Sequence, residues 1–110
     1  MVKFFNDKVP SIIIRLSNVY GYTRLSRPDF VPALIQKSLS SKEVKIWSDK
    51  PKRDFIFSED AADAVIKLLD TDYKGVINLG TGSMSSCGEI SSIIEKLSSS
   101  FFDKDSLIIL

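Results

Sequence analysis

An α/β fold with parallel strands is the architecture this sequence predicts, on two observations. The short, near-continuous apolar runs Ser11–Ser17 and Val76–Leu79 have the composition of strands covered on both faces. Between and after them lie segments whose apolar residues recur at helical spacing, so strand and helix alternate along the chain.

Taken in order, residues 1–7 read as the last turns of a helix, ended before Pro10. Ser11–Ser17 is the first strand, and Gly21–Pro28 is a polar loop carrying Arg24 and Arg27. Asp29–Leu39 reads as a helix, with Phe30, Leu34 and Ile35 on its apolar face. Pro32 falls in its first turn, where a missing N–H costs little. Val44–Trp47 alternates apolar and polar residues as a short strand, Ser48–Lys52 is a charged turn, and Phe55–Phe57 is another short strand. Glu59–Asp70 is the clearest helix. It places Ala62, Val65, Ile66 and Leu69 on one face, and its acidic start at Glu59 and Asp60 suits the helix dipole. After the strand Val76–Leu79, Ser86 and Glu89 form a capping box that opens a helix through Leu97, with Ile90, Ile93, Ile94 and Leu97 inward. Ser98–Ser100 ends it, and the tail that follows closes on an apolar run, Leu107–Leu110, with no evident partner.

Composition narrows the function classes. At 110 residues the chain is one domain or a piece of one. A formal net charge of +1 gives no general attraction to nucleic acid or to an anionic membrane. With no histidine and a single cysteine, Cys87, a His- or Cys-based zinc site and an intramolecular disulfide are excluded. No apolar run approaches the roughly 20 residues of a membrane span. The N-terminal residues are too few and too polar for a signal peptide. A cytoplasmic protein is the expectation.

Two blocks carry the functional signal. The first, Ile12–Gly21, joins an apolar strand to Asn18 and a Tyr-Gly turn. An amide there can donate to a phosphate oxygen, or simply hold the turn. The second, Arg53–Ala64, sets an arginine before an apolar run and an acidic helix start. Arginine is the side chain best shaped for bidentate phosphate contact, and Lys45, Lys50 and Lys52 make its surroundings basic. Paired with Asp54, it would instead be a solvated turn residue. Trp47, the sole tryptophan, sits just before this charged turn. It can stack on a base or cover a sheet edge. Asp60 has a structural reading, starting its helix and ordering the turn that carries Arg53. Tyr20 and Arg24 share the spacing of a Tyr-x-x-x-Lys pair but fall in a loop, and arginine lacks the pKa behaviour of lysine. Cys87 reads as a small core residue.

In this order the two blocks resemble the NAD-dependent epimerase/dehydratase family, the extended short-chain dehydrogenases that act on nucleotide sugars. Asn78-Leu79-Gly80-Thr81-Gly82 is similar to the family's Asn-[Ile/Leu]-Gly-x-Gly. Tyr22 stands where the family motif usually continues with proline. The resemblance implies a Rossmann-like fold, with residues 1–97 as its C-terminal, substrate-binding part and 98–110 as a tail. It implies that Asn18 and Arg53 bind the substrate diphosphate, that Trp47 meets the base, and that Leu16 lies near the nicotinamide of NAD. The family's glycine-rich loop and Tyr-x-x-x-Lys lie upstream of the first block, so this chain is expected to be inactive alone and not to hold NAD by itself. A partner chain carrying the missing half, or self-association, follows from that reading. A non-catalytic module that binds nucleotide sugars or a protein remains the alternative.

Overall fold

The computed structural model describes residues 8–22, 29–40, 43–102 and 107–109. The expected helix at residues 1–7 and most of the expected loop at Gly21–Pro28, with Arg24 and Arg27, lie outside them.

The elements are β1 (Ile12–Leu16), β2 (Asn18–Tyr20), α1 (Phe30–Ser40), β3 (Glu43–Lys45), β4 (Lys52–Arg53) and β5 (Phe55–Phe57). Then come α2 (Ser58–Leu69), β6 (Gly75–Leu79), β7 (Ser85–Ser86), α3 (Cys87–Phe102) and β8 (Leu107–Ile109). The two apolar runs pair in parallel as expected, from Ile12 opposite Gly75 to Leu16 opposite Leu79. β2 runs parallel to β5 and β3 parallel to β8, whereas β4 and β7 are antiparallel. Parallel pairing requires a crossover rather than a tight turn, and the intervening helices supply it.

The helix faces agree with the periodicity reading at Phe30, Leu34, Val65, Ile90 and Ile94 and depart from it elsewhere. In α1 the buried residues are Val31, Leu34 and Ser38, while Ile35 points outward. In α2 Ala61 is buried and Ala64, Val65 and Leu68 are half-buried, leaving Ala62, Ile66 and Leu69 exposed. α2 packs chiefly on β5 and β2 rather than on the β1–β6 pair. In α3 Cys87, Ser91, Ile94 and Ser98 face inward, while Ile93 and Leu97 are exposed. α3 also continues past Ser98–Ser100 to Phe102. Small side chains turn inward because α1 and α3 pack on each other, and slim contact faces let two helices approach closely. Their hydroxyls are satisfied within the helices: Ser38 Oγ donates to the Leu34 carbonyl at 2.8 Å, and Ser91 Oγ to the Cys87 carbonyl at 2.7 Å. β8 gives part of the apolar tail a partner in β3, which the sequence had not identified.

One small core joins α1, β3 and α3 through Val31, Leu34, Val44 and Ile94, with Phe30, Phe55, Tyr20, Ile46 and Ile90 packed around it. β1 is not covered on both faces as expected, since Ile12, Ile13 and Ile14 are each only half-buried. The radius of gyration is 17.8 Å, against about 13 Å for a compact chain of this length. The molecule is therefore elongated and leaves apolar surface uncovered.

Candidate nucleotide-binding site

Three strand ends meet at one point, and backbone bonds fix them there. The N–H of Asn18, at the start of β2, donates to the Asp54 carbonyl at 2.9 Å. The N–H of Ser17 donates to the Leu79 carbonyl, also at 2.9 Å, tying the exit of β1 to the end of β6. Arg53 lies opposite Ser85 in the β4–β7 pair. Asn18, Arg53 and the loop after β6 are thus neighbours, although they come from distant parts of the sequence.

The Asp54 side chain completes the junction. Its Oδ1 accepts the Thr81 hydroxyl at 2.6 Å and the Thr81 N–H at 3.0 Å, and its Oδ2 accepts the Gly82 N–H at 3.0 Å. The Thr81 hydroxyl, then the Thr81 N–H, hold its pKa below the usual carboxylate range, against some desolvation, with help from the Gly82 N–H. Gly80 leaves room for this carboxylate, since a Cβ there would collide with Asp54 and lie 3.1 Å from Ser17 Oγ. Gly82 turns the loop at φ +75°, where glycine is unstrained. The expected role of Asp60 is corrected here. Asp54, not Asp60, orders the segment that carries Arg53; the residue capping α2 is Phe57, with no side-chain capping bond. Only the adjacency of an aspartate to Arg53 hinted at this, because its partners lie 27 and 28 residues away.

The turn between Trp47 and Arg53 is fastened separately. The first two N–H groups of α3 reach into it, Cys87 N–H to the Pro51 carbonyl at 2.9 Å and Gly88 N–H to the Asp49 carbonyl at 3.0 Å. The capping box forms as expected. Glu89 Oε2 accepts the Ser86 N–H at 2.7 Å, and Ser86 Oγ accepts the Glu89 N–H at 3.1 Å. The Ser86 N–H, followed by its hydroxyl, lowers the Glu89 pKa.

A pocket of about 460 Å³ opens beside this junction, and Asn18, Arg53 and Trp47 all line it. Phe30, Leu34, Val44, Ile46 and Phe55 give it an apolar floor, and Lys37, Lys45 and Arg53 bring three cations. Sequence reasoning missed Lys37, which the helical register of α1 delivers to the rim. No carboxylate is among the lining residues described. Arg53 does not pair with Asp54. Its Nη1 donates to the Lys52 carbonyl at 2.9 Å, and no described carboxylate forms an ion pair with it. Lys45 reaches Glu43 only at 3.9 Å on an open surface, a contact worth little. Trp47 is fully exposed, so it is not a core residue. Cys87 is buried in the pocket wall. Leu16 is half-exposed at the end of β1 and lies outside this pocket.

Among the described residues, the backbone donors of the loop after β6 and of the start of α3 are already committed. The Gly80-Thr81-Gly82 loop has spent the Thr81 and Gly82 N–H groups on Asp54. The start of α3 has spent its donors on the Asp49 and Pro51 carbonyls and on Ser86. The start of α2 is acidic. Among the described residues no cluster suits a metal ion, and no helix is long and apolar enough to cross a membrane.

Parallel strands with crossover helices, and a basic, aromatic-edged pocket beside their ends, define an α/β protein of the Rossmann-like class. The chain belongs to the NAD dependent epimerase/dehydratase family, whose model matches residues 4–80. It is 36% identical over 91 residues to the GDP-L-fucose synthase of Sinorhizobium fredii, covering 71% of this chain and 28% of that protein. It is 29% identical over 100 residues to the CDP-abequose synthase of Salmonella muenchen, covering 86% of this chain and 34% of that protein. The UDP-N-acetylglucosamine 4-epimerase of Methanobrevibacter ruminantium, solved with UDP-N-acetylmuramic acid, superposes with a TM-score of 0.81 at 25% identity. That match covers 99% of this chain and 36% of the epimerase. The chain thus spans about a third of the length of these relatives.

Proposed function

We propose that the pocket binds the nucleoside diphosphate of a nucleotide sugar, and that these residues are the C-terminal, substrate-side portion of an epimerase or dehydratase. The observation that carries this reading is the convergence of Asn18, Arg53 and Trp47 on one pocket. Arg53, free of carboxylate partners among the described residues, offers its guanidinium to the diphosphate, and the Asn18 amide adds a donor. Trp47 stacks on the base over the apolar floor. The relatives' names, with GDP- and CDP-linked sugars, support the substrate class.

The redox step belongs to NAD held by structure beyond the residues described. Leu16, exposed at the end of β1, is the apolar residue proposed to face its nicotinamide. The described pocket lining contains no aspartate, glutamate, histidine or tyrosine. On this reading the general base of the family chemistry comes from outside this site. The exposed Ile66, Leu69, Ile93 and Leu97 support packing against further α/β structure, from the same polypeptide, a partner chain or a second copy.

A charged hydrogen bond of about 1.5–3 kcal/mol and a stacked base of about 1–3 kcal/mol barely offset the cost of association. The expected dissociation constant for the 110 residues alone is near or above ~1 mM. Calorimetry with a panel of nucleotide sugars, and an assay with added NAD, test the reading. Weak binding without turnover is expected. Micromolar binding would favour a non-catalytic binding module, and turnover by the chain alone would overturn the proposal.

A further inference from the structure

We infer that Asp54 is a positioning residue for the phosphate subsite, acting through Arg53 and Asn18 rather than by touching ligand; this rests on the nucleotide reading above. Three observations carry it.

Asp54 does not line the pocket, whereas the residues flanking it on both sides, Arg53 and Phe55, do. Alternate side chains of an extended segment point to opposite faces. Its carboxylate is therefore turned away from the ligand and toward the loop after β6, where Thr81 and Gly82 supply three donors. Its carbonyl meanwhile accepts the Asn18 N–H. One residue thus ties Asn18, Arg53 and the β6 loop into a single rigid junction.

Gly80 shows that the arrangement is built around this carboxylate. A side chain at that position would occupy the space Asp54 fills. The neighbouring turn does not depend on Asp54, because Asp49 and Pro51 are fastened to the start of α3. Loss of the carboxylate should accordingly loosen Arg53 and Asn18 while leaving Trp47 in place. Phosphate binding and base stacking then separate in one experiment.

The probes are guanosine diphosphate and guanosine, titrated into the full chain and followed by the emission of Trp47, its sole tryptophan. Asp54→Asn is expected to lower affinity for the diphosphate on the order of tenfold, the equivalent of one charged hydrogen bond, and to leave guanosine affinity unchanged. Thr81→Val, which removes one donor and keeps the charge, should shift the same ratio by less. It also serves if Asp54→Asn fails to fold. Equal losses for both probes would mean a merely structural role and overturn the assignment, as would an unchanged ratio in both variants. If the unmodified chain binds guanosine but gains nothing from the diphosphate, the phosphate reading itself fails, and the positioning role with it.

Discussion

Gly80→Ala is the substitution that tests the Asp54 junction as a packing problem. The new methyl group would collide with the Asp54 carboxylate and approach Ser17 Oγ to 3.1 Å. Asp54 cannot simply swing aside, because both its oxygens are bonded to Thr81 and Gly82. Either those bonds break or the backbone after β6 shifts. Forcing a methyl group into a filled site costs about 1–3 kcal/mol. Replacing glycine also stiffens the unfolded chain, which returns about 0.4–1 kcal/mol where the backbone fits. A net loss of about 1–2 kcal/mol is expected. In urea this moves the unfolding midpoint by roughly 1 M with an unchanged slope. If Asp54 is the obstacle, Gly80→Ala should cost less in an Asp54→Ala background than alone, so the two effects should not add. A Gly80→Ala protein that unfolds at the wild-type midpoint, or strict additivity in the double variant, would refute the reasoning.

Trp47→Ala should leave stability within about 0.5 kcal/mol, because Trp47 is fully exposed. It should nevertheless weaken nucleotide binding roughly 5- to 150-fold, the equivalent of about 1–3 kcal/mol of lost stacking, as read by calorimetry. The acid limb of stability should depend on Asp54. Its folded pKa lies below the unfolded value, so its contribution is present above about pH 4 and is lost as pH falls through the folded pKa. Asp54→Asn should flatten that limb in urea melts recorded across acid pH, and an unchanged limb would contradict the hydrogen bonding at Thr81 and Gly82.

Local chemistry made part of this molecule legible. The apolar composition of Ser11–Ser17 and Val76–Leu79 is enough to expect a parallel pair, and β1–β6 is that pair. The Ser86–Glu89 box is readable because both partners lie within one turn. Asn18, Arg53 and Trp47 stand out as polar or aromatic groups at strand ends and turns, and all three line one pocket. Periodicity identified α2 and α3 and turned Val65, Ile90 and Ile94 inward correctly, but it read only part of each face. Hydrophobicity also favours Ile66, Leu69, Ile93 and Leu97, which are exposed, whereas Ala61 of α2 and Ser91 and Ser98 of α3 are among the residues buried. The large apolar residues left outside are a property of surface beyond this core, which no local pattern encodes. The Asp54 junction was illegible for a different reason. Its donors come from a loop that only the β1–β6 pairing brings near.

The central claim is that the pocket beside Asn18 and Arg53 takes a nucleoside diphosphate. Chemical-shift mapping by NMR of the full chain, titrated with a GDP-linked sugar to ~10 mM, suits the weak affinity expected. Saturable shifts concentrated on the Asn18 side-chain amide, the Trp47 indole N–H and the Arg53 guanidinium are the predicted result. Absence of shifts over that range, or shifts confined to α2 and the β1–β6 pair, would contradict it.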